Sequence, residues 1–265
     1  MSTLRVGESH GSRWRELVGD VAREAPSLDD EQRRALADRF VALGTDAHRR
    51  LDAWSVERAP RDTPFAWSAA TSRRALGNAA LRRLVSEPLS VLEAVRDVVT
   101  DRLLGAAAGY ARPGSLGHWL TGLGDAERAL VVAEATNWAT TIVELTHELD
   151  GAWRPVASDA YYVVAGARTT LRAQREFVIE GPSRVVVRVR SGSPGRSAGA
   201  GLRADLAVET LSHPHGDAPG RFVGVWPDAG LALGVDGTLE DVRAGARHLL
   251  RAARSGVPES PALAA

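Results

Sequence analysis

Neither cysteine nor lysine occurs anywhere in the chain of 265 residues. The missing cysteine excludes disulfides, thiolate nucleophiles and every cysteine-ligated zinc or iron–sulfur site, which leaves His, Asp and Glu as the strong metal ligands. The missing lysine excludes Schiff-base chemistry and a Walker A phosphate loop. All 33 basic residues are therefore arginine, and they balance 33 acidic ones. With no net charge there is no global field to draw in nucleic acid or an anionic membrane, so any polyanion site has to be local. Long apolar runs are missing as well: none approaches the roughly 18 residues that a membrane span needs. The N-terminal stretch MSTLRVGESHGSRWREL carries no apolar signal core, and a cytoplasmic location is the expectation.

What remains is 44% hydrophobic and 25% charged, enough to bury a sizeable core unaided. From residue 11 to about 149 the apolar residues recur at helical spacing. Ser12 precedes a short helix through Trp14, Leu17, Val18 and Val21, and Ser27 opens a long one along Leu36, Phe40, Leu43, Ala47, Leu51 and Trp54. Helices follow over about 66–85 and from Pro88 to about 108. The clearest is DAERALVVAEATNWATTIVELTHEL, whose stripe reads Val131, Ala135, Trp138, Ile142, Leu145 and Leu149.

After Asp150 the period changes to two. Leu171, Ala173, Phe177 and Ile179 point one way, and Arg172, Gln174, Glu176 and Glu180 the other. Gly181-Pro182-Ser183 turns the chain into RVVVRVR, with Glu180 opposite Arg184, Val178 opposite Val186 and Glu176 opposite Arg188. The glycine-rich SGSPGRSAGAG leads to a third expected strand, LRADLAVETL; RFVGVW and LALGV form a second hairpin, and Asp236 or Thr238 caps a final helix through Leu249. These patterns predict an α+β fold. A helical N-terminal half, residues 1–150, packs with a C-terminal antiparallel β-meander closed by a helix, residues 151–255, and 256–265 is a frayed tail.

Four stretches could carry chemistry. His213, His215 and Asp217 in SHPHGD alternate like the HxHxDH motif of metallo-β-lactamase-fold hydrolases, but Ala218 stands where the last histidine belongs. Proline and glycine among polar residues also make a turn, which is the reading preferred over a divalent-metal site. Glu144 and His147 form one E-x-x-H on a helix, whereas a di-iron bundle needs two, so a solvated edge is expected. In SGSPGRSAGAG, Arg196 and backbone amides could face an anion, although a hairpin connection is the simpler reading. From Arg168 to Arg203 eight arginines stand against two glutamates. Arg172, Arg184, Arg188 and Arg190 share the expected outer face of the hairpin and, with Arg196, are the candidate nucleic-acid contacts.

The order of elements beyond residue 155, with Gly201-Leu202-Arg203-Ala204-Asp205-Leu206 followed by RFVGVW, resembles the RecB-type PD-(D/E)XK nuclease domain. That family carries an acid in a G-x-x-D strand and a D-x-K signature in the next. The resemblance makes Asp205 the first acid, one residue late, while Val223-Gly224-Val225-Trp226-Pro227-Asp228 supplies neither the second acid nor the lysine. The family's carboxylates hold a divalent cation and its lysine orients the attacking water. The resemblance therefore implies a degenerate site, no catalytic residue and no cofactor. The leading expectation is a non-catalytic accessory protein of nucleic-acid transactions. The alternatives are a protein-interaction or regulatory module acting through the helical half, and a metal-dependent hydrolase using His213, His215 and Asp217.

Overall fold

Asp29, in extended backbone, accepts a hydrogen bond from the Gln32 N–H and so opens helix α1, Asp30–Val41, with further acids in its first turn. The computed structural model describes residues 2–5, 28–43, 49–57, 66–147, 152–156, 158–181, 183–213 and 218–255. Strand β1 is Ser2–Arg5, and after α1 come β2, Arg49–Leu51, and the short α2, Ala53–Glu57. The long helix expected to run from Ser27 to Trp54 is thus three elements, and the one expected after Ser12 lies outside the described residues.

Helices α3 (Ala69–Ser86), α4 (Val91–Ala107), α5 (Leu116–Thr121) and α6 (Asp125–His147) follow, and they make a compact unit by themselves. Ser68 and Thr71, and likewise Ser90 and Glu93, cap α3 and α4 reciprocally, satisfying amide groups that a helix start leaves open. Leu76, Ala80, Val95, Val98, Leu120, Val131 and Ala135 fill the core of this unit. The expected stripe of α6 is the one that is buried, from Val131 through Ala135 and Trp138 to Ile142.

The other unit joins residues 2–5 and 28–57 to everything described from 152 on. A single boundary at residue 150 is therefore not how the chain divides; its N-terminal stretch belongs with the sheet because Leu36, Phe40 and Leu51 bury themselves in the sheet unit's core. Strands β3 (Ala152–Pro155), β4 (Ala160–Val163), β5 (Thr169–Ala173), β6 (Phe177–Glu180), β7 (Val185–Val189), β8 (Arg221–Trp226) and β9 (Leu231–Asp236) are joined by helices α7 (Ala198–Ser212) and α8 (Leu239–Arg254). One sheet has the order β1-β9-β8-β7-β6-β3 and the other β2-β5-β4.

The class is α+β, with the strands concentrated in the C-terminal half. The β6–β7 hairpin has the expected register, Val178 against Val186. The segment LRADLAVETL is not a third strand of a meander. It is the body of α7, and β7 and β8 on either side of it pair in parallel, Val187 against Val223. Parallel neighbours need a crossover longer than a tight turn, and α7 supplies it. Nearly every residue of α7 is buried, so no polar face exists to betray the helical period, and the alternation of Leu202, Ala204, Leu206 and Val208 imitates a strand. Its partner α8 is capped by Thr238, which accepts from the Asp241 N–H. The two helices cross closely at Gly245, where an added Cβ would overlap the Arg203 carbonyl oxygen and stand 3.0 Å from Ala207 Cβ.

Candidate functional site

Strand β7 is central in its sheet and buried on both faces, so its alternation has no solvent side. Arg188 and Arg190, two residues apart on β7 and its end, project to the face that α7 covers. Arg188 is 6% exposed; its Nη1 donates to Asp205 Oδ2 at 2.5 Å and its Nη2 to Gln174 Oε1 at 2.7 Å. Arg190 donates through Nη1 to Glu57 Oε1 at 2.6 Å and through Nη2 to Glu57 Oε2, a bidentate pair, with its guanidinium 5.3 Å above the Trp226 ring. Glu57 ends α2 and reaches this place because Gly201 stands opposite: a Cβ there would land on the Glu57 carboxylate and lie 2.7 Å from its Cγ. Glu176 completes the group, its Oε2 accepting from the Val189 N–H at 2.7 Å.

Three carboxylates and two guanidinium groups thus share a buried space. Asp205 has no solvent exposure, and its Oδ1 has no hydrogen-bond partner among the described residues. Burial pushes its carboxyl up to about 7, against the opposing pull of Arg188. Burial works against the Arg188 charge too, but Asp205, Glu57 and Glu176 more than reverse this, and Arg188 stays protonated. A carboxyl titrating near 7 suits proton transfer, yet this one is sealed under α7 with one oxygen held by an arginine. The cluster ties α2, β7 and α7 together and is close to electrically neutral.

A second buried pair lies one turn along α7, where Arg175 Nη1 donates to Glu209 Oε2 at 3.0 Å. Burial raises the Glu209 pKa, with Arg175, His213 and Arg184 pulling the other way. His213 closes this end of the helix, its Nδ1 2.8 Å from the Glu209 carbonyl oxygen and 3.1 Å from Ser212 Oγ. His215 and Asp217 lie outside the described residues. Among the described residues no group of three His, Asp or Glu side chains is placed to hold a metal ion.

The five arginines expected to face a phosphate backbone are distributed differently. Arg172 is buried in β5, its Nε and Nη2 donating to Asp159 Oδ2 at 2.8 and 2.6 Å, because β5 is the middle strand of the smaller sheet. Arg184 is half-buried, and burial lowers its pKa despite Glu209 and Glu180. With Arg188 and Arg190 engaged as above, Arg196 alone of the five is exposed, in the loop before α7. That loop does open a helix, contrary to the expected hairpin connection. Asp205 lies on a helix and not on a strand, and so is not the strand-borne acid of the expected signature. Glu144 and His147 are both exposed on α6.

Sequence reasoning missed Glu57, Gln174 and Trp226 as partners of these arginines. The pairing of Arg190 with Glu57 spans 133 residues and leaves no local signal. Asp205 and Glu209 did carry one, since acids four apart lie on one face of a helix and would have met the hairpin arginines together. No family model, curated protein or solved structure matches this chain.

Proposed function

We propose that this chain is a non-catalytic accessory protein of nucleic-acid transactions, its sheet unit a nuclease-like scaffold whose site has been converted into a buried ion-paired cluster. One observation carries the reading. The strand after α7, to which the resemblance gives the D-x-K signature, is β8, which carries neither the acid nor the lysine, and Asp205, the acid the resemblance matches first, is spent on Arg188 of the same chain. A guanidinium bonded to that acid repels a divalent cation and occupies the carboxylate oxygen that would bind it. The carboxylates nearest by, Asp205 and Glu57, are turned inward onto arginines. A cytoplasmic location goes with this reading; no helix among the described residues is long and apolar enough to cross a membrane. The test is incubation of linear duplex DNA with magnesium or manganese and the pure protein. The expected result is intact DNA, and cleavage lost in Asp205→Ala would overturn the reading.

A second reading, an interaction module working through the helical unit without nucleic acid, is favoured by a separate observation. Leu104 and Tyr110, at the end of α4 and just beyond it, are 63% and 85% exposed. Beside them a groove of about 660 Å³ is lined by Arg102, Ala106, Tyr110, Arg112 and Leu116. Large exposed apolar side chains beside a groove mark interaction surfaces. Photocrosslinking from position 110 in cells producing the protein should then give discrete adducts that position 144, on an exposed polar face, does not.

A further inference from the structure

The face of α8 turned away from the core carries Arg243, Arg247, Arg251 and Arg254, all exposed, at spacings of four, four and three residues. Its other face is buried through Val242, Gly245, Ala246, Leu249, Leu250 and Ala253. None of the four arginines has an ion-pair or hydrogen-bond partner for its guanidinium among the described residues. In the same unit Arg154, Arg172, Arg175, Arg188, Arg190, Arg203 and Arg221 are each matched with an acid. In a chain with as many acids as bases, four successive unmatched cations on one helix face are a local segregation of charge.

The segregation does not help the helix. Arg251 and Arg254 in the last turn complement the helix dipole, but Arg243 and Arg247, and again Arg247 and Arg251, are like charges four apart and repel. The positive tract also extends beyond these four. His248, half-buried between them, has its pKa lowered first by burial and then by Arg251, Arg203 and Arg247. Arg49, from β2, reaches the far end of the helix, its Nη1 3.5 Å from the Ala253 carbonyl oxygen.

We infer that this face of α8 is a contact for the phosphate backbone of nucleic acid. The inference rests on the nucleic-acid reading above and names its surface, which is α8 and not the β6–β7 hairpin. From Arg243 to Arg254 the helix rises about 16 Å, and a duplex presents one negative charge per roughly 1.7 Å of its axis. Four guanidinium groups along one edge can therefore each meet a phosphate. Guanidinium groups strung along one helix edge at phosphate spacing meet the backbone through charge, so the contact is expected to be independent of base sequence. An anionic membrane is the poorer match, because a helix lying in a membrane surface inserts its apolar face, and the apolar face of α8 is already in the core.

The test is fluorescence anisotropy with the full chain and a labelled 20-base-pair duplex of random sequence, between 50 and 200 mM NaCl. Contact with four phosphates gives a slope of log affinity against log salt near −3.6, at about −0.9 per contact. Arg247→Gln and Arg251→Gln should each flatten the slope by about 0.9 and together weaken binding by roughly tenfold or more. Neither should lower the unfolding temperature, since each relieves a like-charge pair. Binding by the wild type with a slope that these variants leave unchanged would overturn the α8 assignment while leaving the nucleic-acid reading intact. Absence of binding by the wild type at 50 mM NaCl would overturn both, and so would variant-sensitive binding to phosphatidylserine vesicles without binding to the duplex.

Discussion

The guanidinium of Arg190 holds both carboxylate oxygens of Glu57, a residue from the N-terminal part of the chain, and the meeting is possible because Gly201 presents no side chain there. Three elements are fixed by this contact: the distant α2, and the end of β7 with the first turn of α7. Gly201→Ala forces the pinned carboxylate aside and should cost about 1–3 kcal/mol. In a Glu57→Ala background the new methyl group has room, and the same substitution should cost much less. A double-mutant cycle by denaturant unfolding measures the coupling. Additive effects would show that the glycine and the glutamate do not share this space.

Asp205 makes folding depend on pH. Its carboxyl titrates near 3.8 when exposed and near 7 when buried, so the native state binds a proton that the unfolded state has released. With the native pKa raised, the contribution of this group is full below about pH 4 and is lost as pH rises through 7. Asp205→Asn removes the titration and should shrink the stability difference between pH 5 and pH 8 by roughly 2–3 kcal/mol. Denaturant midpoints at the two pH values check this. An unchanged difference would mean that Asp205 is ionised throughout.

The hairpin arginines act on stability. Arg188→Ala leaves Asp205 without its counter-charge in a fully buried place and should destabilise by roughly 3–5 kcal/mol, more at pH 8 than at pH 5, where the carboxyl can take up a proton. Arg196→Ala, in an exposed loop, should stay within about 0.5 kcal/mol of wild type. Thermal unfolding of the two variants separates these outcomes. Equal, small effects would place Arg188 at the surface.

The crossing of α7 and α8 depends on Gly245, whose added Cβ would overlap backbone. Gly245→Ala cannot be absorbed by moving a side chain and should destabilise by about 1–3 kcal/mol, even though alanine favours the helix. Calorimetry reads the effect, and a stabilised variant would show that the helices cross elsewhere.

Much of the helical unit was legible in the sequence because its helices have one buried stripe and one polar face. Trp138 and Ile142 on α6 fall where the spacing places them. The β6–β7 register was legible for a similar reason, since a three-residue connection aligns Val178 with Val186. The face of the hairpin was not legible. Alternation tells which side chains share a side, but not that a helix will cover the charged side. That helix was itself hidden, because burial on all sides leaves α7 no periodic contrast. The site inherits both difficulties, since Arg188 and Arg190 find their acids on α7 and on α2.

Incubating an excess of the pure protein with end-labelled linear duplex at 50 mM NaCl, with magnesium and then manganese, and running half of each sample native and half after deproteinisation, tests the central claim in one experiment. A nucleic-acid-binding protein with an ion-paired, inert site retards the duplex in the native gel and returns it at full length afterwards. Shortened products, or a duplex that is never retarded, would contradict it.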